Sequence, residues 1–265
     1  MWSQRVEDVI QLLQHPPTLL ASLRALAQCI GITGGFSVLR DFYGFVRGQL
    51  PGDPTGAAVE VSLRRQALRL QGRHFNLNVI AVGSDQFTNA DFEEIDYAIF
   101  RLRNIYDPVV LGVGRSQHWV VATADADGLD TPTSEGDLED LTQDWTVPND
   151  GIDLFVPHNM SVPSNGGMIL GKARINGPCD KDAKGMNGAT CGLWGREQTA
   201  RTFAHELGHY LGLSHNHGSS CPTGTAALNN LMAQSRCASS TRNSVLLTSS
   251  QGSNMRDHCS TKSGC

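Results

Sequence analysis

The stretch that most constrains this chain is His205-Glu206-Leu207-Gly208-His209-Tyr210-Leu211-Gly212-Leu213-Ser214-His215. At about 100° per residue on a helix, Ala200, Phe203, Ala204, Leu207 and Leu211 share one narrow stripe. His205 and His209 fall together on the opposite side, with Glu206 to one side of them. The spacing predicts one helix that presses its apolar stripe on a core and aims two imidazoles into a cleft. Gly212 follows the last apolar position, where a left-handed cap can end the helix. The turn can then swing His215 back towards the other two rings.

Three neutral imidazoles suit a zinc ion at about 2.0–2.1 Å and leave a fourth position open for water. Glu206 is too close in sequence to His205 to be a natural fourth ligand. It is well placed to take a proton from that water, whose pKa the ion lowers. The competing reading is a helix with incidental surface histidines. His217 lies two residues beyond His215 and competes with it for the third place, but the offset favours His215. His74, His118, His158 and His258 have no spacing argument and read as structural or exposed.

The pattern H-E-x-x-H-x-x-G-x-x-H resembles that of the metzincin clan of zinc endopeptidases. The resemblance implies a methionine-containing turn beneath the metal, for which Asn230-Leu231-Met232-Ala233-Gln234 is the candidate, with Met232 an apolar floor and not a ligand. Within the clan the chain is most similar to the pappalysin-like (ulilysin-like) group. Arg201-Thr202 before Phe203-Ala204-His205-Glu206 resembles that group's lead-in. Gly218 to Cys221 resembles its Gly/Cys-rich segment, and Leu247-Thr248, Gln251 and Met255-Arg256 its last helix. The tyrosine often found two residues after the turn methionine in related enzymes is replaced by Gln234. The group's longer calcium-carrying connection is absent, since Cys221 and Met232 are close in sequence.

Composition sets the outer limits. A chain of 265 residues can bury a sizeable core as one domain plus an extension. A net charge of −5 offers no basic surplus for nucleic acid. No apolar run approaches the ~18 residues of a membrane span. Six of the seven cysteines, Cys179, Cys191, Cys221, Cys237, Cys259 and Cys265, lie in the last third. Such a set suggests disulfides and an oxidising, extracellular compartment. Local pairs are favoured: Cys179–Cys191, Cys221–Cys237 and Cys259–Cys265. Only the second is also implied by the family resemblance, tying the loop after the third histidine to the methionine turn. A second, structural zinc site is the alternative, but no C-x-x-C pair occurs. Met1 to Gln14 is amphipathic and unlike the apolar core of an export signal, so a signal outside this sequence or another export route is expected.

Along the chain, residues 1 to about 50 read as helical, with His15-Pro16-Pro17 as a break. Pro51-Gly52-Asp53-Pro54-Thr55-Gly56 reads as a linker. Residues 1–72 are expected to be a helical extension or prosegment. Residues 73–265 then form the catalytic domain, divided into 73–212 and 213–265. Arg64-Arg65 and Arg73 are basic points at which a prosegment can be cut, or plain surface charge. Cys29 is the odd cysteine. Its thiolate can block a zinc site in a zymogen, although a small buried hydrophobe is the favoured reading; Asp41 is a second blocking candidate.

From His74 onward the pattern is strand, helix, strand. Phe75, Leu77, Val79 and Ala81 alternate. Thr88 starts a helix through Phe92, Ile95, Ile99 and Leu102, which Asp107-Pro108 stops. Val109 to Val113 and Trp119 to Ala122 read as a strand pair. Asp125, Asp127 and Asp130 can bind calcium through hard oxygens, but Gly136 stands where a calcium loop needs glutamate, and a solvated turn is favoured. Asp137 to Trp145 reads as a short helix, and Ile152, Leu154 and Val156 as a strand. Gly166 to Ile175, with Met168, Ile169, Leu170 and Gly171, reads as an edge strand to which an extended peptide can add. Thr190 to Trp194 reads as a last strand, Gly195 leads into the histidine helix, and Thr248 starts a final helix.

The expected fold is α/β: a twisted mixed sheet with a backing helix and the active-site helix, then an irregular C-terminal subdomain with the methionine turn and a last helix. The expected function is a secreted, monomeric zinc endopeptidase acting on extended protein substrates, with one catalytic Zn2+ and Glu206 as base. The alternatives are a non-catalytic zinc-binding module on a protease-like fold and a zinc hydrolase of non-peptide bonds.

Overall fold

A strand that alternates Phe75, Leu77 and Val79 with Asn76 and Asn78 must bury one apolar and one polar face, and this strand lies in the interior of the sheet, with a parallel neighbour on each side. The computed structural model describes residues 56–164, 167–218 and 220–264. The expected helices before residue 50, most of the linker, Cys29, Asp41, Gly166 and Cys265 lie outside the described residues.

The elements run α1 (Gly56–Gln71), β1 (Arg73–Val82), α2 (Asn89–Tyr106), β2 (Leu111–Val121), α3 (Glu135–Asp144), β3 (Gly151–Pro157), β4 (Pro163–Ser164), β5 (Gly167–Met168), β6 (Gly171–Ala173), β7 (Ala189–Cys191), α4 (Arg196–Tyr210), α5 (Thr225–Leu228), α6 (Ser249–Asp257) and β8 (Lys262–Ser263). The main sheet has the order β2-β1-β3-β7-β6, and β8 adds to the start of β1. The pairs β1/β2, β1/β3 and β3/β7 are parallel, whereas β6 runs antiparallel to β7 at the edge. The mixed α/β architecture agrees with the sequence reading.

One face of the sheet is apolar. Phe75, Leu77, Val79, Val113, Ile152, Leu154 and Val156 pack with Ile95, Ile99 and Leu102 of α2 and with Phe203, Ala204 and Leu207 of α4. Burying such side chains stabilises the fold by roughly 1.5–3 kcal/mol each. α2 begins on a capping box in which Thr88 and Asp91 satisfy each other's backbone N–H groups. The opposite face carries a buried polar row. Asn78 donates to Asp153 at 2.6 Å and to Asn149 at 2.8 Å, and Asn76 donates to Asp150 at 3.1 Å.

Four sequence expectations need correction. The strand pair expected at 109–113 and 119–122 is one strand, β2. Its polar middle, Arg115-Ser116-Gln117, sits at a register irregularity opposite Phe75–Leu77, where the Asn76 carboxamide oxygen accepts from the Arg115 N–H at 3.0 Å. The edge strand expected through Gly166–Ile175 is shorter. Gly167–Met168 folds back on Pro163–Ser164, and only Gly171–Ala173 joins the main sheet. The pairing Cys179–Cys191 does not form. Cys191 is a free thiol buried in β7, whose side chain belongs to the apolar face. Cys179 bonds instead to Cys259, so that Cys259–Cys265 is also excluded. The cause is tertiary: Tyr210 Oη donates to the Pro178 carbonyl at 2.6 Å, and His258 Nε2 lies 3.1 Å from the Gly177 carbonyl. These contacts lay the loop before Cys179 against the end of α6. Cys221 and Cys237 are joined, with Cα atoms 5.2 Å apart.

Candidate metal centre

α4 carries the first two histidines and is buried along its length from Thr199 to Tyr210. Its N-terminus has no cap of its own, because Gly195 stands there with φ 85°. Glu94 of α2 supplies one: its carboxylate accepts from the Gly195 N–H at 3.0 Å and from the Thr199 hydroxyl at 2.6 Å. A carboxylate at this end also suits the helix dipole. Tyr106 Oη donates to the Ala204 carbonyl at 2.7 Å and fixes the helix against its neighbour.

At the other end Gly212 takes φ 98°, and Leu213 N–H returns to the Gly208 carbonyl at 2.9 Å. This left-handed turn is the one the sequence predicts, and it brings His215 back over the helix. The Nε2 atoms of His205, His209 and His215 form a triangle with sides of 3.1, 3.2 and 3.3 Å. Ligand nitrogens of a tetrahedral ion with bonds of about 2.0–2.1 Å stand roughly 3.3 Å apart, so the triangle has the size a zinc ion requires.

Proton placement agrees for two of the three rings. His205 Nδ1 donates to the Leu231 carbonyl at 2.8 Å, and His209 Nδ1 donates to the Leu213 carbonyl at 2.6 Å. With the proton on Nδ1, each ring turns an Nε2 lone pair inward. Burial lowers the pKa of His205 and His209, and burial together with the neighbouring His209 lowers that of His215 to about 4. All three rings are thus neutral at neutral pH. His217 stays out of the group: its Nε2 accepts from the Gln234 N–H at 3.1 Å, and its Nδ1 lies 2.9 Å from the Gly218 carbonyl.

Glu206 points into the same cleft, a space of about 660 Å³ also lined by Leu170, Gly171, Thr202, His205, His215 and Gln234. Burial pushes its carboxyl up to about 8, against the opposing pull of the Arg201 guanidinium. Room for it depends on Gly171. A Cβ there would lie 2.7 Å from Glu206 Cγ and 2.7 Å from the Thr190 carbonyl oxygen. Met232 is fully buried against α4, close enough that a Cβ on Gly208 would come within 3.0 Å of its sulfur. The methionine is therefore packed under α4 and its turn supplies the Leu231 carbonyl to His205.

The sequence reading missed what Arg201 does. Its side chain is buried and donates to the carbonyls of Ser244 at 3.0 Å and Leu231 at 3.2 Å, to the Ser235 hydroxyl at 3.3 Å, and to the Ala233 carbonyl. It ties α4 to the methionine turn from inside. The available signal was an arginine one helical turn before His205, on the face that must meet the turn.

Of the expected substrate strand, Met168, Ile169, Leu170 and Gly171 all line the cleft, but only Gly171 is in β6. The Leu170 carbonyl is turned inward to Gly192 N–H at 3.1 Å and Trp194 Nε1 at 2.8 Å. Among the described residues, β6 has no strand on its outer side. Asp125, Asp127 and Asp130 do not converge, since the groups of ligating atoms found together among the described residues are the histidine triad and Cys179, His258 and Cys259. The second group holds the disulfide. Both His258 ring nitrogens there are engaged, one with the Gly177 carbonyl and the other with Ser260 N–H at 3.2 Å.

Comparison with known proteins adds an independent observation. The family model described as Metallo-peptidase family M12 matches residues 104–257, a span containing the triad, Glu206 and Met232. No curated protein matches the chain by sequence. Among solved structures the chain is similar to archaemetzincin from Methanopyrus kandleri, with 17% identity over 70% of this chain and 95% of that one, at a TM-score of 0.44. It is also similar to metalloproteinase-II from Bacteroides fragilis, with 14% identity over 69% of this chain and 52% of that one, at 0.43. A chain in a chaperone–substrate complex matches with 15% identity over 70% of this chain and 34% of its own length, at 0.41.

Proposed function

The chain belongs to metallo-peptidase family M12 and so is a zinc-dependent peptidase, and from that premise we propose that it is a metzincin-type endopeptidase cutting extended protein substrates. The observation that carries the proposal is the meeting of three Nε2 atoms within 3.1–3.3 Å of one another in a cleft that Glu206 also lines. His205, His209 and His215 are the proposed zinc ligands and Glu206 the proposed base. A bound zinc ion supplies Lewis acidity, lowering the pKa of water and polarising a carbonyl.

The chain's own residues do the rest. Leu231 and Leu213 carbonyls keep the ring protons of His205 and His209 on Nδ1. A Glu206 carboxylate oxygen takes the proton of the attacking water and returns it to the leaving nitrogen. The outer edge of β6 and the segment Met168–Leu170 receive the substrate backbone as an added antiparallel strand. Met232 supplies an apolar floor.

The boundaries 1–72, 73–212 and 213–265 form part of the proposal, as does removal or retention of the first segment on activation. The two disulfides support an extracellular location. The likeness to the pappalysin-like group rests on the sequence motifs alone.

The test is casein cleavage with and without a zinc chelator, with mass spectrometry of the products. Internal cleavage that stops with chelator and returns with zinc is the expected result. Zinc uptake without any cleavage would leave the binding-module alternative standing.

A further inference from the structure

The three imidazoles are not held alike. His205 and His209 give their Nδ1 protons to main-chain carbonyls that the fold fixes in place. His215 is exposed at the rim of the cleft, and its Nδ1 faces the side-chain carboxamide of Gln234, whose Nε2 is 3.4 Å away. Gln234 is itself anchored at two points. Its main-chain N–H donates to His217 Nε2 at 3.1 Å, and its Oε1 accepts from Arg236 Nε at 2.9 Å. A ring that offers Nε2 to a cation carries its proton on Nδ1 and gains from an acceptor there. In Gln234 the one acceptor atom is taken by Arg236, which turns the amide nitrogen towards the ring.

We propose that Gln234 is the positioning residue of His215: its carboxamide, oriented by Arg236, decides which ring nitrogen of His215 carries the proton and so sets the zinc affinity of the triad. The inference rests on reading the triad as the zinc site. It assigns Gln234 no contact with substrate. An acceptor on the free nitrogen of a metal-ligating histidine is typically worth 10–100-fold in metal affinity, and the amide nitrogen of Gln234 holds that place with a donor instead. A glutamate at this position has two acceptor oxygens of the same reach, one for Arg236 and one for His215 Nδ1–H. A leucine has none.

The experiment measures Zn2+ affinity of the full chain by competition with a chromophoric chelator, for wild type, Gln234→Glu, Gln234→Leu and His215→Ala. The His215 Nδ1–H resonance of the zinc-loaded protein is followed alongside. Gln234→Glu is expected to bind about tenfold more tightly, and Gln234→Leu also more tightly but by less, because it only removes a donor that opposes the Nδ1 proton. A leucine variant weaker than wild type would contradict the proposal. The Nδ1–H resonance is expected to move downfield in the glutamate variant, a shift that a merely structural role would not produce. Wild-type affinity in both variants, with the resonance unmoved, would overturn the proposal. If the leucine variant fails to fold, the glutamate variant decides alone, since it keeps the shape of the side chain. His215→Ala binding zinc as well as wild type would instead remove the triad reading on which the proposal stands.

Discussion

Nδ1 of His205 donates to the carbonyl oxygen of Leu231 at 2.8 Å. The same oxygen accepts from Arg201 Nη2 at 3.2 Å. One main-chain atom of the methionine turn is thus held by two side chains of the histidine helix, a turn apart. Arg201 aligns the turn, and the turn orients the ring.

Arg201→Met should therefore lower both stability and metal affinity. It takes the side-chain donor from the Ser244 and Ala233 carbonyls, whereas Leu231 keeps His205, at roughly 1–3 kcal/mol for each group left unsatisfied. Urea denaturation and chelator competition are the readouts. Unchanged midpoint and affinity would show that the turn holds itself.

Gly171→Ala should cost activity without costing the metal. The added methyl would meet Glu206 Cγ and the Thr190 carbonyl oxygen, each at 2.7 Å, and Thr202 Cγ2 at 2.8 Å. The base must shift, and a displacement near 1 Å can cost on the order of 100-fold in rate. Steady-state kinetics on samples of equal zinc content would show a fall in kcat. A variant with full kcat would place the base elsewhere.

Acid stability should depend on Asp150. Burial raises its pKa, but hydrogen bonds from Lys262 and Asn76 and the charges of Lys262 and Arg115 outweigh that and hold it at about 2. A carboxyl depressed in the folded state stabilises the fold fully above its unfolded pKa of ~4, and that contribution is lost as pH falls towards the folded value. The side chain is 47% exposed, so the effect is modest and weakens with salt. Urea midpoints of wild type and Asp150→Asn should differ at pH 6 and converge between pH 4 and 2. A difference that stays constant with pH would contradict this.

Peptide mapping without reduction should recover Cys179 joined to Cys259 and Cys221 joined to Cys237, as in the structure. The Cys191 thiol should resist labelling until the protein is denatured, because burial holds it away from reagent and raises its pKa. A Cys179–Cys191 peptide would show that the loop before Cys179 docks on β7 and not beside α6.

What the sequence made legible was what is local. The rungs of α4, the Gly212 stop, the capping signals of α2 and α6, and the alternation in β1 are all written within a few residues of where they act. What it hid was decided across the chain. Glu94 caps a helix about a hundred positions away, Arg201 meets carbonyls of the methionine turn, and Cys179 finds Cys259 at a separation of 80 residues. Spacing along the chain does not report such pairs, since they form only after the elements have packed. The polar run Arg115-Ser116-Gln117 misled for a related reason. In a parallel strand at the sheet edge Arg115 and Gln117 meet Asn76 and Asn149 of the polar row, while Ser116 accepts from Arg103 of α2.

The central claim is that the triad holds zinc beside a carboxylate that moves the proton. The most direct measurement is hydrolysis of an internally quenched peptide by wild type and Glu206→Gln, each assayed for bound zinc in the same sample. The account predicts one zinc per chain in both and a loss of at least about 100-fold in kcat for the variant, the scale of removing a general base. Hydrolysis at the wild-type rate by the zinc-loaded variant would contradict it.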